Sequence, residues 1–301
     1  MASRAAMPVL LLLLVSASPL RALVPVRNVD GPVAGPAPAA ASAQDSGFGD
    51  LDTSAPQGIA PEEIVKRLGI RETEFRKARD EYTFKQLVKT DTISEDTGRP
   101  DGEYQQLSQI DFTPEGRRVE RVLFAPANTI ERVIMTEADF DEIRNRLPFI
   151  LTTEDLPKYD VTYLGKQKVD ELDTYVFQAG PKTLEKGKRY FQGKVWVDQQ
   201  DFQIVLINGK TVPQDTRKGH EDLQPPFTTY YEQVDGKYWF PTYTKAEGNL
   251  HFAAQQGALS QDVHIRTIVK YTDYKRYIFK AKSRVLDANG NVIEEKDSGK
   301  P

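Results

Sequence analysis

The side chains able to do acid–base or metal chemistry are few and far apart. Histidines stand at 220, 251 and 264, which is 31 and 13 residues from one another. A zinc site on a helix needs its histidines one turn apart, and a thiolate site needs closely spaced cysteines. His220, His251 and His264 offer no such spacing, and the chain has no cysteine. They read as solvated or hydrogen-bonded surface residues. There is no G-x-S-x-G elbow, phosphate loop or S-x-x-K motif, and Gly47-Phe48-Gly49 lacks the preceding strand that a dinucleotide fingerprint requires. Asp and Glu are abundant but scattered, so a carboxylate pair for hydrolysis of cell-wall glycan stays open as the third of three readings. No metal or cofactor is expected, and no catalytic residue is assigned.

Charge excludes a further class. The net charge of −4, with 28% charged residues, leaves no basic excess to neutralise phosphates, so nucleic acid is not an expected partner. Residues 1–24 read as a secretory signal peptide. Arg4 precedes an apolar run from Val9 to Val15, and small residues follow at Ser16, Ala17, Ser18 and Ala22. The run is far short of the roughly 20 residues that cross a bilayer. Without a cysteine there is no lipid anchor of the lipobox kind, so the mature chain is expected to be soluble and periplasmic.

Residues 25–58, rich in Ala, Pro, Gly and Ser, read as a disordered arm. A helix is expected from Pro61 to Leu68, with acids in its first turn, cations in its last and Gly69 as its stop, and a second helical stretch from Glu72 to Tyr82. Almost everything after that reads as strand. Thr83–Ile93, Glu103–Phe112 and Arg117–Phe124 form a meander. Further strands are expected at Tyr159–Leu164, Thr174–Ala179, Tyr190–Val197, Phe202–Asn208, Thr228–Val234, Tyr238–Lys245, Val263–Tyr271 and Tyr277–Val285. One helix interrupts them, capped at Thr136 and ended by Pro148. Ten or more strands cannot stay flat, and two or three short helices cannot coat them. The expected fold is mainly β: an unclosed antiparallel β-barrel, or half-barrel, over residues 59–288, with a few short helices as lid or plug and a flexible tail at 289–301.

The stretch KVWVDQQDFQIVLI, Lys194 to Ile207, is apolar on both faces of its second strand, so each face must find cover. Strand parity places Val195, Val197, Ile204, Leu206, Tyr238, Phe240, Ile265, Val269, Tyr277 and Phe279 on an inner, groove-lining face. Phe140, Ile143, Leu147, Phe149 and Ile150 are expected to cover the barrel mouth as an amphipathic lid. On the outer face of the C-terminal strands, Arg266, Lys270, Arg276, Lys280, Lys282 and Arg284 form a basic surface suited to an acidic acceptor or an anionic membrane.

Three segments carry a family resemblance. They are Tyr163-Leu164-Gly165 through Tyr175-Val176-Phe177, Gly193-Lys194-Val195-Trp196-Val197-Asp198, and Gly236-Lys237-Tyr238-Trp239-Phe240-Pro241. With these the chain resembles outer-membrane lipoprotein-sorting proteins of the LolA/LolB-like superfamily, over roughly Pro61 to Val285. The resemblance implies an open barrel whose apolar concavity, lidded by short helices, holds the acyl chains of lipid or lipoprotein without catalysis. The chain departs from the short carriers by its Ala/Pro-rich arm and by an insertion around Gln214 to Pro226. The rival reading is a regulatory or structural β protein that uses the same sheet for protein contact.

Overall fold

The computed structural model describes residues 48–113, 117–133, 140–141, 143, 149–213, 225–252, 261–277, 282–286 and 292–297. The expected signal peptide, most of the arm, the 214–224 part of the insertion, His220, Leu147, Phe279 and Lys280 lie outside them.

The elements run α1 (Pro61–Arg79), β1 (Tyr82–Ile93), β2 (Pro100–Phe112), β3 (Arg118–Phe124), β4 (Tyr159–Val169), β5 (Leu172–Pro181), β6 (Tyr190–Asp198), β7 (Ile204–Val212), β8 (Phe227–Gln233), β9 (Trp239–Phe252), β10 (Gln261–Arg276), β11 (Lys282–Leu286) and β12 (Val292–Asp297). β1 to β10 form one ten-stranded sheet in the order β3-β2-β1-β10-β9-β8-β7-β6-β5-β4. Every pairing is antiparallel. β3 and β4 are its two edges and do not meet, so the sheet is not closed into a barrel.

α1 is a single helix of 19 residues rather than two short ones. Pro61 starts it, Glu62 and Glu63 favour the positive end of its dipole, and Arg76, Lys77 and Arg79 favour the other. Gly69 does not stop it. A Cβ there would come within 2.6 Å of Leu156 Cδ1, so the glycine admits the passing chain, and the Gly69 carbonyl accepts from Thr153 N at 3.2 Å. Ile64, Leu68, Glu72 and Phe75, at helical spacing, are the large side chains that α1 buries. They face one side of the sheet, called the inner face here.

Three further expectations differ from what is observed. The last strand of the sheet is β10, which continues to Arg276, and Lys282–Leu286 pairs only with β12 in a separate two-stranded sheet. The 289–301 region therefore contains a strand. The arm is not free over its whole length either, because its end lies along the β4 edge. Gly49 N donates to Lys168 O, Asp52 N to Lys166 O and Lys166 N back to Asp52 O, each at 2.8 Å. Gly165, at φ +152, makes the approach possible, since a Cβ there would meet the Asp52 carbonyl at 2.4 Å.

Candidate functional site

The inner face divides into two halves. Under α1, from β4 to β9, it is apolar. Phe177, Val195, Val197, Ile204, Ile207 and Tyr231 are buried with Ile64 and Leu68 of α1 and with Leu151. Phe240 completes this half. Its ring centroid lies 5.1 Å from Phe75, 4.6 Å from Tyr82 and 4.8 Å from Tyr274. Phe149 stacks on Phe191 at 4.4 Å, at the margin of the same cluster.

One charged-type residue interrupts the apolar contact. Glu72, only 3% exposed, points from α1 into the sheet, where Ile204 N donates to its Oε1 at 3.3 Å. Burial pushes its carboxyl up to about 8, although the backbone N–H groups of Ile204 and Leu151 and the charges of Arg71 and Arg79 pull it down. At neutral pH the acid form therefore predominates, and α1 docks without bringing a full charge into the core.

The second half, from β10 to β3, carries a polar network beside a smaller apolar cluster. Tyr104 hydroxyl donates to Gln106 Oε1 at 3.0 Å, and Gln106 Nε2 donates to Ser108 Oγ at 3.0 Å and Glu120 Oε1 at 2.8 Å. Ser108 Oγ donates to the same Glu120 oxygen at 2.6 Å. Arg118 joins Glu120 Oε2 at 2.8 Å and Gln86 Oε1 at 2.9 Å. Beside this network Phe140 and Ile143, both helical, are buried with Val88, Tyr104, Val269 and Tyr271.

These positions place the expected site residues as follows. Val195, Val197, Ile204 and Phe240 lie beneath α1, and Tyr238 packs beside Phe75 at 6.2 Å. Ile265 and Val269 are buried on β10, in the alternation that also buries Val263, Thr267 and Tyr271. Leu206 is elsewhere. A register shift in the β6–β7 pair falls between Trp196 and Val197, which face Leu206 and Ile204, so Val205 is the extra residue and strict alternation breaks. Ile204 and Ile207 point inward, whereas Val205 and Leu206 pack outward with Trp196, Val169 and Val176. Phe48 of the arm covers that outer cluster, 6.1 Å from Trp196. Both faces of the Ile204–Ile207 strand are thus covered by protein, one by α1 and one by the arm. Tyr277 follows the end of β10 and is 52% exposed, so it does not line the inner face. Of the lid residues, Ile150 joins the Phe75–Phe240 cluster.

The basic outer face is more balanced than its sequence. Arg266 lies 3.5 Å from Asp91, and Arg276 lies 2.7 Å from Glu81. Lys85–Asp273 and Lys89–Glu103 add pairs at 2.7 and 2.8 Å. Lys270 is exposed, and Lys282 and Arg284 lie on β11, which is not a strand of the large sheet. Asp91, Glu81 and Glu103 come from β1, its flank and β2, whereas Asp273 is on β10 itself, so neighbouring strands reduce the imbalance counted along the C-terminal strands. His251 and His264 meet Asp262 and Glu247 at 2.7 and 3.0 Å on the surface. Among the described residues no cluster of His, Cys, Asp or Glu could hold a metal ion, and no helix is long and apolar enough to cross a membrane.

An open antiparallel sheet with α1 laid on its inner face defines the class of fold. Among solved structures the chain is similar to an outer membrane lipoprotein-sorting protein domain from Vibrio parahaemolyticus, at 15% identity and a TM-score of 0.29, over 70% of this chain and 92% of that one. It is also similar to MucB in complex with MucA(peri) and to MucB in the Pseudomonas aeruginosa MucA/MucB complex. Each is at 9% identity and a TM-score of 0.21, over 72% of this chain and 98% and 99% of theirs. No family model and no curated protein matches the sequence.

Proposed function

We propose that the protein is a non-catalytic periplasmic binding protein that takes an acyl chain of a lipid or lipoprotein between α1 and the inner face of the sheet. The observation that carries this reading is the apolar half of that face, covered by one helix whose buried side includes a carboxyl group. The energies make an exchange feasible. A 14-carbon chain gains on the order of 10 kcal/mol, at about 0.8 kcal/mol per buried CH₂. Lifting α1 would expose Ile64, Leu68 and Phe75, at roughly 1.5–3 kcal/mol each. Glu72 eases the displacement, because a carboxyl group brought back to water recovers its hydration. The acyl chain would take the place of the helix on a surface that is already apolar.

The test is to extract the purified protein with organic solvent, analyse the extract by mass spectrometry, and titrate the protein with a fluorescent fatty acid. Co-purified lipid and saturable uptake are expected. Uptake should rise in Ile64→Ala/Leu68→Ala, which loosens α1, and stay unchanged in Leu206→Ala on the opposite face. An empty extract with no probe uptake by either form would overturn the reading.

A further inference from the structure

The two edges of the sheet are finished differently. At β4 the chain covers its own edge with the segment Phe48-Gly49-Asp50-Leu51-Asp52, an extended run of apolar and acidic residues. Its backbone joins the β4 ladder, Asp52 pairs with Lys166 at 3.1 Å, and Phe48 lies on the apolar outer cluster. The β3 edge has the same ingredients and, among the described residues, no such cover. β3 pairs with β2 alone, and Val119, Val122, Leu123 and Phe124 are 45%, 53%, 42% and 52% exposed. Arg117 and Arg121 are exposed and make no ion pair among the described residues. Asp111, the acid on the neighbouring strand, is half-buried and accepts from Gln109 at 3.3 Å.

Sheets normally protect an open edge with lysine, proline, an inward charge or a covering segment, and of these β3 has the inward Arg118–Glu120 pair but, among the described residues, no covering segment. Alongside that pair β3 presents exposed apolar side chains beside its unpaired backbone groups. We propose that β3 is a docking edge for an extended peptide segment of a partner protein, rich in apolar and acidic residues, which adds to the sheet as an eleventh strand. Ladder hydrogen bonds would supply affinity, and the side chains beside them specificity. The charge pattern decides the chemistry of the partner. Arg117, Val119 and Arg121 alternate along one face, so the matching strand carries acid, apolar residue, acid at every second position. A second copy of this chain, paired edge to edge, would bring like charges together at Arg121. This inference does not rest on acyl-chain binding.

The probe is a fluorescein-labelled acetyl-Asp-Thr-Val-Thr-Asp-Val-amide, followed by anisotropy and by hydrogen exchange. Saturable binding is expected, with new protection of β3 amides and none of β4 amides. Replacing both aspartates of the peptide by lysine, or reversing the protein charges with Arg117→Glu/Arg121→Glu, should weaken binding about tenfold while leaving the thermal midpoint unchanged. N-methylating alternate peptide nitrogens should abolish it. The proposal is overturned if the acidic peptide does not bind, or if the lysine or N-methylated peptide binds equally well. It is also overturned if the protein alone forms a dimer that Val122→Arg dissociates, which would give the edge to a second copy.

Discussion

The half of the inner face beneath α1 and the half at β1 to β3 use opposite means to the same end. The first is held to α1 by apolar contact with few hydrogen bonds. The second is tied together by Gln86, Gln106, Ser108, Arg118 and Glu120, each satisfying another. Removing one member leaves buried donors without acceptors, which costs more than the bond was worth. On the proposed function the contrast puts plasticity on the α1 side and a fixed register on the β3 side.

The largest effect should come from Phe240→Ala, which empties the aromatic cluster shared by α1 and the sheet. A loss of about 3–5 kcal/mol in urea unfolding is expected. A loss below about 1 kcal/mol would mean that α1 is not held through this residue. The next test concerns Glu72. Its folded carboxyl titrates at about 8 against an ordinary 4.5, so the folded state binds more protons in that interval. Stability should be greatest below the lower value and fall on the order of a few kcal/mol as the pH rises through the window. Glu72→Gln should flatten that slope; a slope unchanged by the substitution would remove the buried acid from the account of the α1 half.

Glu120→Ala should cost about 1–3 kcal/mol, because Ser108 and Gln106 lose their shared acceptor. The sharper measurement is a double-mutant cycle with Ser108→Ala, whose coupling of about 0.5 kcal/mol or more would separate a network from independent contacts. Smallest of all should be Lys270→Gln/Arg276→Gln on the outer face. A change under about 1 kcal/mol is expected, since exposed pairs are worth little. Weaker association with anionic vesicles at low salt only would mark this face as a docking surface, whereas equal association at all salt concentrations would leave it ordinary.

Much of the architecture was legible because alternation reports burial directly. The odd-numbered residues of β10 from Val263 to Tyr271 are buried, as their pattern predicts. What was hidden depends on partners distant in sequence. The extra residue at Val205 moves Leu206 outward, yet nothing in Ile204-Val205-Leu206-Ile207 marks which residue the facing strand will skip. Glycine at 69 reads as a helix stop until the chain at Thr153 is seen to pass beside it. Arg266 looks unopposed along its own strand, whereas Asp91 lies across the ladder. Glu72 and the Gln106–Glu120 network were missed outright. A clue existed in Gln106, Ser108 and Ile110, which alternate as a buried face would, but polar residues in such a pattern are commonly assigned to solvent.

The strand order also governs how the sheet assembles. In the ten-stranded sheet every neighbouring pair is consecutive in the chain except β1 with β10. Tyr82 there faces Arg276, and Ile93 faces His264. The meanders β1–β3 and β4–β10 can each zip between chain neighbours, over connections no longer than the 213–226 segment, but the seam between them must close a loop spanning most of the domain. Loop-closure entropy places that step late and makes it slow. Until the seam forms, the growing chain exposes the β1 and β10 edges as well as β3, and this is the interval in which a chaperone, or an aggregating neighbour, has most to grip.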